Sequence, residues 1–547
     1  MAAEQPTTSQ TKVPPDPSSS LGKTCVRTAK KTHNYADCAT HNDFEKNFVG
    51  GASLGRERWA KIAGGHKAAH RELVISPRWH FRFALTSMHA QPLIRSIPTD
   101  ASAATGLDAA RGATKRRWRN RLLALGLVTA AGLIWLGVDR LLVDRSPIMV
   151  GLLHSQTGAM AVSEKSMIDA EVLAIEEINQ SGGLLGRPVQ WIIADGASDA
   201  TTFARQADRL IRDDHVCVTF GCWTSASRKS VKPVVEANDH LLVYPMAYEG
   251  LEQSPNIVYT GAAPNQQITP AVQWCHDTLS ARKFFLVGSD YIWPHCVNAI
   301  IDDQLKGLGV EKVGEVYIPF GSTDVDAAVR AIVAAKPDVV LSAVVGDSAI
   351  VFAQQLREAG VLPEQTPVLS FAIGEDELRT LSRGDIAGNY AAWNYFQTID
   401  RPENQTFVRA FKARYGNDRT TSDVIDTAYN SVRLWAQAVR ESGTTNVHQV
   451  RNALRHQSLN APEGIIAIDP ETQHTWRPAS IGRIRPDGQF DIVWTSRTAV
   501  RPVPFPISRS RESWEKFVAD LYHSWGDKWS APIGPTSSPT KQTRAVR

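Results

Sequence analysis

The sequence predicts an α/β fold in two lobes with a central ligand cleft. Three observations predict it. After residue 147, short apolar runs alternate with helix-length segments, the pattern of parallel βα units whose helices cover both sheet faces. The series occurs twice, on either side of the polar stretch GAAPNQQITP. The 400 residues beyond residue 147 suffice for two substantial domains, and clefts between such domains are common small-molecule sites.

The first series predicts a strand over Pro147–Leu153, a polar turn at His154–Gly158 and a helix over Ser163–Gln180. That helix stops at Ser181-Gly182-Gly183, a strong C-terminal signal. Strands over Val189–Ala194, His215–Phe220 and Leu241–Tyr244 follow, separated by helices over Ala200–Arg212 and Ser225–Asn238. The second series places strands at Lys283–Gly288, Glu315–Ile318, Asp338–Ala343 and Pro367–Phe371. Its helices fall near Pro294–Gly307, Asp324–Ala335 and Ser348–Gly360. Tyr390–Asn394 reads as a returning segment, Asn404–Tyr415 and Thr421–Glu441 as helices, and IGRIRPDGQFDIVW as a hairpin around Pro486-Asp487-Gly488.

The N-terminal quarter is different. Residues 1–121 carry 20 Lys and Arg against 9 Asp and Glu, a net +11, while the remainder carries 40 against 47, a net −7. The overall +4 is therefore an average of unlike parts and gives no warrant for nucleic-acid binding. We read 1–121 as a basic, largely disordered region. LLALGLVTAAGLIWLGV, residues 122–138, is a long uncharged apolar run behind RGATKRRWRNR. It reads as a transmembrane anchor with its basic side in the cytoplasm; an export signal behind a later start such as Met88, or a buried helix, are the alternatives. The first two place residues 147–497, the two-lobed ligand-binding domain, in the periplasm or otherwise outside the cytoplasm, leaving 498–547 as a C-terminal extension.

Ligands favour the carboxyl ends of parallel strands, and those ends carry the candidate site. Ser225 stands where a helix begins, so it either caps that helix or bonds a ligand. Tyr244, Tyr248 and Glu249 follow the next strand; the carboxylate can accept from an amide NH2 and the phenols can complete the set, with loop anchoring as the alternative for either tyrosine. GSDYIWP puts Tyr291 and Trp293 on the opposite lobe. Glu375 or Asp376, after another strand, serves either the cleft or the next helix N-terminus. Cys217 and Cys222 read as buried free thiols, with a bridge as the alternative.

Beyond residue 147 enzyme signatures are missing: that part has no GxSxG elbow, HExxH pair or Walker A sequence. The glycines of GGLLG suit a helix stop better than a phosphate cradle. We expect a binding protein with no catalytic residue, cofactor or metal.

Taken together, GLLHSQTGAMAVSE, EEINQSGGLLGRPV, FGCWTSASRKSVKPV, LLVYPMAYEG, NIVYTGAAPNQQ, GSDYIWP, IGEDELR and AAWNYFQTIDRPEN resemble the urea and short-chain-amide binding proteins of ABC transporters, over roughly residues 147–497. The resemblance implies the periplasmic-binding-protein type 1 fold, with two Rossmann-like lobes, three crossings and hinge closure without chemistry. It places Ser225, Tyr244, Tyr248, Glu249, Tyr291 and Trp293 around a small polar amide-like ligand, urea foremost. It also implies a separately encoded permease and ATPase as partners. A membrane-anchored sensor signalling to another protein is one alternative, and a cryptic amide hydrolase is the other.

Overall fold

The computed structural model describes residues 116–132, 145–380 and 386–532. By compactness the chain divides between Ala103 and Ala104, and all described residues fall in the second unit. Residues 1–115 and 133–138 of the N-terminal readings lie outside the described residues.

The first lobe is built on a five-stranded sheet in the order β2-β1-β3-β4-β5. Its strands are β1 (Ile148–His154), β2 (Val189–Asp195), β3 (Thr219–Gly221), β4 (Leu242–Tyr244) and β5 (Ile257–Tyr259). All its pairings are parallel. Between them run helices α1 (Ala161–Gln180), α2 (Ala200–Arg212) and α3 (Ser225–Ala237). Continuous burial of β3, β4 and β5 reflects helices on both faces.

The second lobe repeats this topology. Helix α4 (Ile268–Asp277) leads into β6 (Lys283–Ser289), α5 (Ile292–Leu308), β7 (Glu311–Ile318), α6 (Asp326–Ala335) and β8 (Val339–Ala343). Helix α7 (Asp347–Glu358), β9 (Val368–Ser370), the short α8 (Glu375–Leu378) and β10 (Tyr390–Trp393) follow. The sheet order β7-β6-β8-β9-β10 matches that of the first lobe strand for strand. Its far edge is extended by β14 (Ser480–Ile484) and β15 (Phe490–Thr495), the expected antiparallel hairpin.

Three passages connect the lobes. The chain leaves the first lobe after β5 and returns after β10, because α9 (Pro402–Tyr415) and α10 (Asp423–Ser442) both pack on α1. Helix α11 (Val447–Leu454) and a small sheet of β11 (Ser458–Ala461), β12 (Gly464–Ile468) and β13 (Thr475–Trp476) follow before the chain crosses again into β14. Asn394 ties all three passages together: its Nδ2 donates to Gln266 O at 3.1 Å and to Pro478 O at 2.5 Å. Beside it, buried Arg477 donates to Asp423 at 3.1 Å and pairs with Glu463, while Asp423 accepts from the amides of Asn394 and Tyr395.

The membrane assignment of residues 122–138 is corrected. Among the described residues no helix is long and apolar enough to cross a membrane. The described helix runs over 116–132, so Arg116, Arg117, Arg119 and Arg121 occupy its opening turns. The transmembrane reading, and the compartment inferred from an anchor or export segment there, fall with it.

Candidate functional site

The site grows from the end of β3. Gly221 has φ +145° and lies so close to the Leu153 backbone that a Cβ would strike it. The chain then turns through Trp223 into α3. Thr224, not Ser225, caps this helix, its hydroxyl accepting from Ser227 N at 3.0 Å. The capping alternative thus falls to the neighbour, and Ser225 Oγ faces Glu249, to which it donates.

Glu249 belongs to a buried charge cluster that sequence reading missed. One helical turn beyond Ser225, Arg228 donates through Nη2 to Glu249 at 3.0 Å, through Nε to Glu252 at 3.0 Å and through Nη1 to Ser225 at 3.1 Å. Lys229 donates to Glu252 at 3.1 Å and stands 3.7 Å from Glu249. Two cations meet two carboxylates, so the wall is neutral in sum. Burial opposes the charge on Glu252, but Lys229 and then Arg228 outweigh it and hold its carboxyl far below the usual range. The Arg228 guanidinium lies 4.7 Å from the Tyr244 ring centre and 4.3 Å from that of Tyr248, a double cation–π contact.

Both tyrosine hydroxyls are anchored. Tyr244 donates to Trp223 O at 2.8 Å. The Tyr248 hydroxyl bonds His474 Nε2, with Glu252 O at 3.3 Å, and its ring stacks on Tyr259 at 5.1 Å. Each therefore has the loop-anchoring role that stood as its alternative.

From the second lobe, Tyr291 precedes α5 and Trp293 lies in its first turn. Tyr291 is buried near enough to Tyr244, Glu249, Arg228 and Glu164 for each to act on its hydroxyl electrostatically, and its ring centre lies 6.4 Å from that of Trp293. Glu375 accepts from Gln397 N within its own lobe, whereas Asp376 accepts from Ser166 of the first lobe across the cleft.

A second missed group is Glu164, in the first turn of α1. Its Oε2 accepts from Ser155 N at 2.6 Å and lies 3.8 Å from His154 Nδ1. Its Oε1 has no partner among the described residues, and burial pushes its carboxyl up to about 7. The indole N–H groups of Trp223 and Trp293 are likewise buried without a partner among the described residues. Buried polar groups are normally satisfied, and these three atoms are among the buried side-chain atoms without a partner among the described residues. The sequence signal for Glu164 was indistinguishable from an ordinary acid in a helix first turn.

The cleft is closed. Ala159 packs against Gly321 and Gly346 of the opposite lobe, where a Cβ on Gly346 would meet Ala159 O at 2.7 Å. Ser163 and Ser166 of α1 bond Glu377 and Asp376 of α8. Cys217, Cys222, Cys275 and Cys296 are free thiols; burial pushes that of Cys217 up to about 12. Among the described residues no group of three or more His, Cys, Asp or Glu could hold a metal ion.

A family model described as a periplasmic binding protein domain matches residues 148–511. A limonene hydroxylase of Geobacillus stearothermophilus is 36% identical, but only over 118 residues, 22% of this chain and 21% of that protein; the chain thus spans about a fifth of its length. The leucine-, isoleucine-, valine-, threonine- and alanine-binding protein of Pseudomonas aeruginosa is 20% identical over 331 residues, covering 59% of this chain and 86% of that one. Among solved structures, an ABC transporter substrate-binding protein from Sphaerobacter thermophilus superposes with a TM-score of 0.58 at 24% identity, over 66% of this chain and all of that one. At that identity the likeness shows the two-lobed fold alone.

Proposed function

The chain belongs to the periplasmic binding protein domain family, and on that premise we propose that it is a solute receptor that closes on a small neutral amide, urea or a short-chain homologue, and presents it to an ABC-type permease and ATPase. The observation that carries the ligand class is the internal neutralisation of the wall. Arg228 and Lys229 are spent on Glu249 and Glu252, so neither is left to pair with a ligand carboxylate. What remains toward the cleft carries no free cation: two indole N–H groups and the Tyr291 phenol, with the Glu164 carboxyl as an acceptor for an N–H, while the Ser225 hydroxyl is engaged with Glu249 and Arg228. Closure then follows from contacts made only when both walls grip the ligand.

The names of relatives favour a second reading, an aliphatic amino acid. Its α-carboxylate would need donors that this wall offers only through hydroxyl, indole and backbone groups.

Titration calorimetry of the intact chain with urea, acetamide, leucine and alanine tests both. Saturable binding of urea or acetamide, with none for the amino acids, supports the first reading. Binding of leucine or alanine alone transfers the assignment to the second, and no binding by any of the four sinks both. Release of ammonia from urea or acetamide, dependent on the protein, would overturn the receptor reading in favour of an enzyme.

A further inference from the structure

Beyond β15 the chain does not end at the sheet edge. It runs back past the hinge, where Asn265 and the 501–503 backbone exchange hydrogen bonds of 2.7 and 2.8 Å. It then touches the first lobe: Leu251 N donates to Pro504 O at 2.8 Å, and Gly250 abuts the same carbonyl so closely that no Cβ would fit. Next it grips the second lobe, where Arg509 forks onto Asp303 of α5 at 2.7 and 2.8 Å. The terminal helix α12 (Arg511–Ser524) then packs on α5, anchored by the fully buried Trp514.

The last described residues return to both lobes at once. Trp529 O accepts from Ile292 N at 3.0 Å, Ser530 bridges Tyr291, and Ala531 N donates to Asp290 O at 3.2 Å. The Trp529 ring lies 5.3 Å from Lys229 Nζ and packs on Tyr522 at 4.2 Å. Lys229 in turn holds Glu252, which holds Arg228. A single residue thus joins the charge cluster of the first lobe to the loop that presents Tyr291 from the second.

We infer that residues 504–531 form a clasp that holds the two cleft walls together from outside the cleft, with Trp529 as its positioning residue. The family match stops at Arg511, the first residue of α12, so the rest of that helix and Trp529 lie beyond it. Hinge opening leaves the three passages intact and separates the walls, so contacts to both walls away from the hinge must loosen each time the cleft opens. The clasp therefore sets how often the cleft opens, and with it the rate at which solute enters and leaves. The inference rests on the receptor reading in taking the cleft to open for a solute.

Hydrogen–deuterium exchange on the intact chain, without ligand, tests it at a place the clasp does not touch. In Trp529→Ala, amides of residues 160–166 and 374–378, which meet across the cleft, exchange faster, on the order of fivefold for the loss of about one tertiary hydrogen bond's worth of restraint. Arg509→Ala, which removes the fork on Asp303 and the guanidinium 4.3 Å from the Trp514 ring centre, shifts the same amides in the same direction and decides the matter if Trp529→Ala does not fold. Acceleration confined to 290–293 and 500–531 in the variants that fold would overturn the clasp and leave a purely local role. Since no ligand enters this experiment, failure of urea and acetamide to bind is read separately and falls on the receptor reading alone.

Discussion

Ser163 in the first turns of α1 donates its hydroxyl to Glu377 Oε1 of α8 at 2.8 Å, so a side chain of one lobe is bonded to a carboxyl of the other across the closed cleft. The bond exists only when the lobes meet, and its worth is therefore spent on closure rather than on folding either lobe. Ser163→Ala is expected to weaken solute affinity by roughly three- to tenfold, the equivalent of one net hydrogen bond. The melting temperature of the free protein changes little. Calorimetry with whichever probe the wild type binds, beside a thermal melt, checks it; an unchanged affinity would mean the latch is ornamental.

The same latch region makes stability depend on pH. Burial pushes Glu375 up to about 8 and, with Asp376 adding to it, Glu377 up to about 7; burial also takes Glu164 to about 7, while all three titrate near 4.5 when unfolded. Between pH 8.5 and 6.5 the folded chain therefore holds protons that the unfolded chain lacks, and stability rises as pH falls. The gain is on the order of 2 kcal/mol, a few degrees in melting temperature. Below pH 6.5 the trend flattens, because burial holds His240 and His474 down at about 4 and the unfolded chain now takes up the extra protons. Melts at pH 8.5, 7.5 and 6.5 measure this. A melting temperature that climbs with pH across that range contradicts the burial of these carboxyls, and Glu164→Gln should flatten part of the slope.

Arg228 is the keystone of the wall. Replacing it with Met leaves Glu249 without its 3.0 Å guanidinium partner and both carboxylates facing Lys229 alone. Breaking a buried pair by removing one partner typically costs about 3–5 kcal/mol. Denaturation by guanidinium chloride, chosen because urea is a candidate ligand, should show that loss as a lower midpoint. A shift below about 1 kcal/mol would mean that water reaches Glu249 in the native state.

Much of this arrangement is legible in the sequence because it is local. The end of β3 and the start of α3 are announced by Gly221 and the Thr224–Ser225 pair, and the strands before Tyr244 and Tyr291 by their apolar runs. Arg228 is not legible, since its partners sit 21 and 24 residues away on another loop and a lone arginine on a helix looks like solvent-facing charge. Short elements such as β5 and the three small strands β11–β13 carry too few residues for a period to emerge. Residues 122–138 misled for a different reason: an apolar run states its own length, whereas the described helix over 116–132 also takes in Arg116, Arg117, Arg119 and Arg121. The clasp was invisible because its meaning lies wholly in contacts 200 or more residues distant in sequence, as with Arg509 and Asp303.

Asn394 offers the sharpest test of the hinge. Its Nδ2 serves two backbone carbonyls, Gln266 O and Pro478 O, one from each of the other passages. With two acceptors on that side the amide orientation is fixed by chemistry. Asn394→Ala leaves both carbonyls buried and unserved, at a cost of about 1–3 kcal/mol, while the amide of residue 394 can still donate to Asp423. Asn394→Asp is expected to be worse than Ala, because an acceptor would then confront two carbonyl oxygens and a carboxylate would be buried beside Asp423 and Glu463, whose surroundings already push Asp423 up to about 6. The order wild type, Ala, Asp in denaturation midpoint, together with faster amide exchange over 394–401 in both variants, is the expected result. If Asp proves as stable as the wild type, Asn394 donates to neither carbonyl and the three passages are held together by Arg477 and Asp423 instead.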